Sequence, residues 1–124
     1  MSWDFQNDRP IYAQIMLHIK LDIVSGKYAA GEKLPSVREL AAEAAVNPNT
    51  MQKAMTELER LGLVYSQRTS GRFITEDENM IRSIKQQLAQ EQIHDFLQNM
   101  QRIGYTPQET LDIVQRAVDN SAQS

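Results

Sequence analysis

The stretch from Leu34 to Gly62, LPSVRELAAEAAVNPNTMQKAMTELERLG, decides the fold. Its first part is a short run of apolar residues at helical spacing, and its second part repeats apolar residues at i, i+3, i+4 and i+7. The break between them ends in the small polar residues of positions 47–50, NPNT. Two short helices joined by a tight turn are therefore predicted.

Both helices have recognisable start signals. Ser36 is expected to cap the first, and Glu39 three residues later completes a capping box. Asn47 is expected to cap the second, with Pro48 at its first position and Gly62 directly after its end. These polar residues either only start a helix or also present the helix end to a ligand.

Upstream of this stretch, residues 10–24 predict another amphipathic helix. Isoleucine recurs at every fourth position, with a proline in the first turn, and Gly26 and Gly31 end the pattern. The positions are Ile11, Ile15, Ile19 and Ile23. Three helices are thus expected within about fifty residues.

Downstream, the pattern changes to strands and then returns to helices. Residues 63–66 and 72–75 are β-prone and are separated by turn residues, which predicts a hairpin. A long helix is predicted over about 78–103, and a final helix from Pro107 to about Val118, with a frayed tail beyond it. The fold is thus expected to be mainly α with one small β-hairpin.

The two parts of the chain differ in charge as well as in pattern. Residues 1–75 contain nine Lys or Arg and eight Asp or Glu, whereas residues 76–124 contain four and eight. The net charge of −3 therefore comes from the C-terminal part of the chain, whereas the front part is almost neutral. We predict one domain at 9–77 and a helical dimerisation region at 78–120.

Composition argues against several classes of protein. The chain has no cysteine, no signal-like apolar segment and no run of apolar residues long enough to span a membrane. His18 and His94 are isolated, and there is no phosphate loop and no nucleophile motif. We expect a cytoplasmic protein without membrane association, metal or cofactor, and not an enzyme.

The order of elements is that of a helix-turn-helix followed by a hairpin wing, although a plain helical bundle would share the periodicity. The placement of the polar residues favours nucleic-acid binding, because hydrogen-bond donors suited to phosphate or base edges fall on three elements. They are Arg38 on the second helix, Asn49, Thr50, Gln52 and Lys53 on the third, and Arg68 and Arg72 beside the hairpin turn. Each could instead be an ordinary solvated or capping residue.

Residues 10–75 resemble the winged helix-turn-helix of GntR-type transcription regulators. The matching positions are Pro10-Ile11-Tyr12, Gly26, Tyr28, Gly31 to Ala41, Val46-Asn47, Thr50-Met51, Ala54, Leu58-Glu59, Gly62-Leu63 and Gly71 to Ile74. The short two-helix C-terminal part and the NPNT run are similar to the YtrA subfamily. A winged domain plus a two-helix dimerisation region is implied.

The resemblance also implies roles for individual residues. Ser36 and Arg38 would contact phosphate, and Asn47, Asn49, Thr50 and Gln52 would contact the groove. The hairpin would contact the minor groove or backbone around Gly71. One departure is the sequence Arg68-Thr69-Ser70-Gly71-Arg72, which lacks the first glycine of a Gly-x-Gly wing tip.

These features together predict a sequence-specific DNA-binding regulator, expected to be a repressor, that binds a pseudo-palindromic operator as a homodimer. The apolar stripe of the C-terminal helices is long for so small a region, so it is expected to pack against a second copy. A small-molecule effector is possible, of unknown chemistry. The alternative is a helical protein–protein interaction module that does not bind DNA.

Overall fold

The computed structural model describes residues 3–123, which form five α-helices and one two-stranded antiparallel sheet. In chain order they are α1 Ile11–Val24, α2 Val37–Ala44, α3 Pro48–Arg60, β1 Val64–Gln67, β2 Gly71–Ile74, α4 Glu78–Ile103 and α5 Pro107–Gln123. The predicted fold class, mainly α with a hairpin after three helices, is confirmed.

The chain divides into two compact units between Lys85 and Gln86, within α4. The domains at 9–77 and 78–120 stay predictions. Among residues 3–123, no helix combines the length and hydropathy needed to cross a membrane.

The predicted apolar stripes of the first three helices form most of the core of the first unit, which also contains Tyr28, Leu34, Leu63, Val64 and Ile74. Of the four isoleucines on α1, Ile15, Ile19 and Ile23 are buried, and both α1 and α2 pack against α3. The buried side chains of α3 are Met51, Ala54, Met55 and Leu58. Fully burying a methionine or leucine side chain contributes about 1.5–3 kcal/mol relative to leaving it exposed, so these stripes hold the three helices together.

Local hydrogen bonds set the starts of α2 and α3. The Ser36 hydroxyl accepts from the Glu39 N–H at 3.1 Å, and the Ser36 N–H donates to the Glu39 carboxylate at 3.2 Å. Asn47 Oδ1 accepts from the Asn49 N–H at 2.7 Å. Between the helices, Ala45 adopts a left-handed backbone with φ 59°, which produces the tight turn.

The hairpin, residues 64–74, is called the wing below. Its inner pair, Val64 opposite Ile74, is buried in the core, whereas its turn is exposed. The other edge of β2 pairs with residues 32–34, since the Leu34 N–H donates to the Arg72 carbonyl and the Ile74 N–H to the Glu32 carbonyl, both at 2.9 Å. The wing is therefore anchored by α3 on one side and by this loop on the other.

The second unit contains the rest of α4 together with α5. A capping box starts α5, because Thr106 accepts from the Glu109 N–H at 3.1 Å and donates its own N–H to Glu109 at 2.9 Å. The prediction of a frayed tail after Val118 was wrong, since α5 runs to Gln123. No Gly or Pro interrupts these residues, and Gln115 donates to Asp119 one turn later at 3.1 Å.

Candidate nucleic-acid interface

The N-terminal turn of α3 is a polar surface with no acidic residue in it. Asn49, Gln52 and Lys53 are exposed there and Thr50 is half-buried, whereas the Asn47 side chain is engaged in the cap. The first N–H groups of a helix lack partners within the helix, and its dipole makes this end partly positive. The turn can therefore accept an anion while its side chains meet base edges.

Two of these side chains also contact neighbours. The Lys53 ammonium lies 4.0 Å from the centroid of the Tyr12 ring on α1. The Gln52 amide donates to the Thr56 hydroxyl one turn later, at 3.3 Å. The ring face attracts the cation and limits where it can point, which the sequence pattern had not indicated.

The start of α2 adds two further groups. Arg38 is exposed in the first turn of α2, and the Ser36 hydroxyl directly before the helix is exposed as well. A hydroxyl that accepts one hydrogen bond can still donate its own proton, so the capping role of Ser36 leaves that proton available to a phosphate oxygen.

The wing turn carries an exposed cation and a close backbone approach. Arg68 lies in the exposed turn of residues 68–70. Gly71 has φ +107°, and a Cβ built on it would lie 3.1 Å from Lys33 Cε. The loop before α2 thus brings Lys33 beside the wing turn. Lys33 was not predicted, although a lysine three residues before the capping residue Ser36 could have indicated it.

Arg72 is placed differently from Arg68. Its Nε is 2.5 Å from Glu59 Oε1 on α3, and the same oxygen accepts a hydrogen bond from the Ser66 hydroxyl at 2.6 Å. The hydrogen bond from Ser66 and the pairing with Arg72 hold the pKa of the Glu59 carboxyl below its ordinary value, although burial opposes them. The Arg72 side chain is only 24% exposed and its charge is paired.

The predicted site residues therefore fall into two groups. Arg38, Asn49, Gln52, Lys53 and Arg68 are exposed on three elements of one compact unit, and Thr50 is half-buried beside them. Asn47 and Arg72 have structural partners within that unit. The first group offers amide, hydroxyl and cationic donors, a combination suited to phosphates and to the edges of bases.

Comparison with known proteins adds independent findings. A family model described as "Bacterial regulatory proteins, gntR family" matches residues 11–74. The HTH-type transcriptional regulator YhcF of Bacillus subtilis, described as uncharacterized, is 40% identical over 90% of this chain and 93% of its own length. The HTH-type transcriptional repressor YtrA of the same organism is 42% identical over 70% of this chain and 72% of its own length.

Two solved structures are also similar. A GntR family transcriptional regulator from Listeria monocytogenes is 38% identical, with a TM-score of 0.82 over 90% of this chain and 98% of that one. The DNA-binding domain of AraR, solved in complex with operator ORX1, is 30% identical, with a TM-score of 0.55 over 60% of this chain and 99% of that one.

Proposed function

Since the chain belongs to the GntR family of bacterial regulatory proteins, we propose that it is a cytoplasmic repressor that binds a pseudo-palindromic operator as a homodimer. The observation that carries this proposal is the exposed polar start of α3, which lies in one compact unit with Arg38 on α2 and Arg68 on the wing. The YtrA relative, named a transcriptional repressor, supports the direction of regulation.

Family membership also bears on the other predictions. It confirms the predicted resemblance to GntR-type regulators. The relatives are transcription regulators and not enzymes, as predicted. The AraR domain was solved in complex with an operator, which supports DNA as the partner of this chain.

The exposed groups divide into positioning and reading roles. Arg38 and Ser36 at the start of α2 bind phosphate, because a guanidinium and a hydroxyl are general phosphate donors. Thr50 and Gln52 on α3 read base edges, and the Gln52 amide suits the paired donor and acceptor of adenine. Lys53 adds charge beside them and is aligned by the Tyr12 ring.

Homodimer formation supplies the DNA affinity that a single unit lacks. The front part of the chain is almost neutral, so a single unit neutralises few phosphates and binds weakly. Two linked units engage half-sites about one helical turn, roughly 34 Å, apart and share one binding event. A small-molecule effector would act by changing the angle between the two winged units.

The roles of Arg38 and Gln52 can be separated by substitution. Arg38→Ala should weaken binding to operator and random duplex alike and lower the salt slope by about 0.9, because one phosphate contact is lost. Gln52→Ala should mainly weaken operator binding, at a cost of about 1–3 kcal/mol in discrimination. Gel shifts over a range of salt concentrations measure both quantities.

The matched control is Arg82→Ala, which removes an exposed arginine on α4 that bonds Asn79 at 2.8 Å. Its affinity should stay close to that of the wild type. If the operator affinity of Arg38→Ala and Gln52→Ala is also unchanged, the proposed contacts are wrong. If the wild-type chain shows no salt-dependent binding to any duplex, the interaction-module alternative is favoured.

A further inference from the structure

One carboxylate oxygen of α3 bonds to both strands of the wing. Glu59 Oε1 accepts from the Ser66 hydroxyl on β1 at 2.6 Å and from Arg72 Nε on β2 at 2.5 Å. Ser66 and Arg72 lie directly opposite each other in the hairpin register. A single side chain of α3 therefore holds one complete cross-strand pair.

This pair lies between the anchored and the exposed ends of the wing. Residues two positions apart on a strand point to the same face, so Ser66 and Arg72 extend the face on which Val64 and Ile74 are buried. The next pair along the hairpin already adjoins the exposed turn. The bond to Glu59 thus continues the attachment to α3 beyond the hydrophobic core.

We propose that Glu59 and Arg72 are positioning residues that fix the angle of the wing against α3, and that Arg68 carries the charge of the wing to DNA. This inference rests on the proposed function. Arg72 is partly buried and paired, whereas Arg68 is exposed in the turn. A fixed wing keeps Arg68 at a constant distance from the N-terminal turn of α3. Arg68 and this turn can then contact one duplex without the entropy cost of ordering the wing on binding.

The experiment separates positioning from charge, since the two make opposite predictions for Glu59→Ala in the full chain. Removing a negative charge near the DNA surface should tighten binding if only charge matters. Positioning instead predicts binding to an operator duplex weakened about threefold to fivefold, as expected for losing a partly exposed ion pair. Fluorescence anisotropy at several salt concentrations measures the affinity.

Glu57→Ala is the matched control. It removes the same charge from the same helix, but the Glu57 carboxylate bonds Arg60, also on α3, at 2.9 Å and 3.0 Å. Its affinity should equal or slightly exceed that of the wild type. Equal effects of Glu57→Ala and Glu59→Ala on affinity would overturn the proposal.

Two further variants test the assignment of the arginines. The double variant Glu59→Ala with Arg72→Ala keeps the net charge, so it should bind about as weakly as Glu59→Ala while retaining the wild-type salt slope. Arg68→Ala should lower that slope by about 0.9. If the double variant instead lowers the slope by as much as Arg68→Ala does, then Arg72 contacts phosphate and the proposal is wrong.

A measurement without DNA keeps this inference distinct from the proposed function. Amide hydrogen exchange in residues 66–72 should be faster in Glu59→Ala than in Glu57→Ala, because the wing is held less firmly. Equal exchange overturns the positioning role even if DNA binding is observed. Should Glu59→Ala fail to fold, Ser66→Ala removes only the hydroxyl bond, and it should weaken binding and speed exchange in the same direction.

Discussion

The four residues from Asn47 to Thr50 have separate roles. Asn47 bonds the N–H of Asn49 and Pro48 occupies the first position of α3, so this pair builds the helix start. Asn49 and Thr50 lie on the turn that the pair creates, and their side chains are available to a ligand. The start of the helix is also the proposed contact surface, so the two interpretations of this run agree.

This division of roles predicts different effects for two neighbouring asparagines. Asn47→Ala should lower the free energy of unfolding by about 1 kcal/mol, because it removes the capping oxygen from α3. Asn49→Ala should leave the stability almost unchanged and weaken operator binding. Urea unfolding and gel shifts on both variants measure the two properties.

Asn47→Asp is the control for the cap, because an aspartate oxygen can accept the same hydrogen bond and also favours a helix N-terminus. It should unfold at the urea concentration of the wild type or higher. If Asn47→Ala proves as stable as the wild type, the cap contributes nothing to stability and Asn47 would be free for a DNA contact.

The wing and α3 behave as one assembly because several independent contacts join them. The inner pair of the wing is buried, residues 32–34 pair with β2, and Glu59 holds the middle pair. The hairpin itself was predictable from β-prone residues around turn residues. The attachment of the hairpin to α3 was not predictable, since Glu59 and Arg72 are thirteen positions apart and belong to different elements.

The attachment of the wing should depend on pH. The pKa of Glu59 is lowered in the folded state, so its contribution to stability is present above the unfolded-state pKa, about 4.3. It is lost as the pH falls through the lower, folded-state pKa. The difference in unfolding free energy between wild type and Glu59→Gln should therefore be largest near neutral pH and shrink below about pH 4.

Urea unfolding of both proteins at pH 7, 5, 4 and 3 would check this dependence. A stability difference that stays constant down to pH 3 would mean that the charge of Glu59 is unimportant, and that the carboxylate acts only as a neutral acceptor for Ser66. Salt should reduce the difference at pH 7, because the ion pair is partly exposed.

The second unit leaves much of its apolar surface uncovered. Large apolar side chains on α4 and α5 are exposed there, namely Ile93, Phe96, Leu97, Ile103, Leu111 and Val118. Scattered apolar residues are normal on a surface, but this many in a region of about forty residues indicate an interface. We expect a second copy of the chain to cover them, in keeping with the predicted dimerisation region.

Charge placed on this surface should separate the copies. Ile93 is 57% exposed and Phe96 is 41% exposed, so replacing both by Asp should raise the dimer dissociation constant by about a hundredfold or more, because two large apolar contacts are lost in each copy. Sedimentation should then show a monomer, and operator binding should weaken with it.

The matched control is Leu21→Asp, at an exposed leucine of α1 in the first unit. Its sedimentation should match that of the wild type. A dimer that survives the double substitution on α4 would show that the copies associate through another surface, or through contacts too extensive for two charges to break.

Short-range patterns in the sequence were enough to predict the helices, their caps and the hairpin, because a cap, an apolar stripe or a turn involves residues only a few positions apart. The end of α5 was predicted too early, since no Gly or Pro marks it and the helix continues to Gln123. Only the tertiary structure decided which of the two wing arginines is exposed and which is paired. Arg68 and Arg72 look alike in sequence, and packing of the wing on α3 alone brings Arg72 to Glu59.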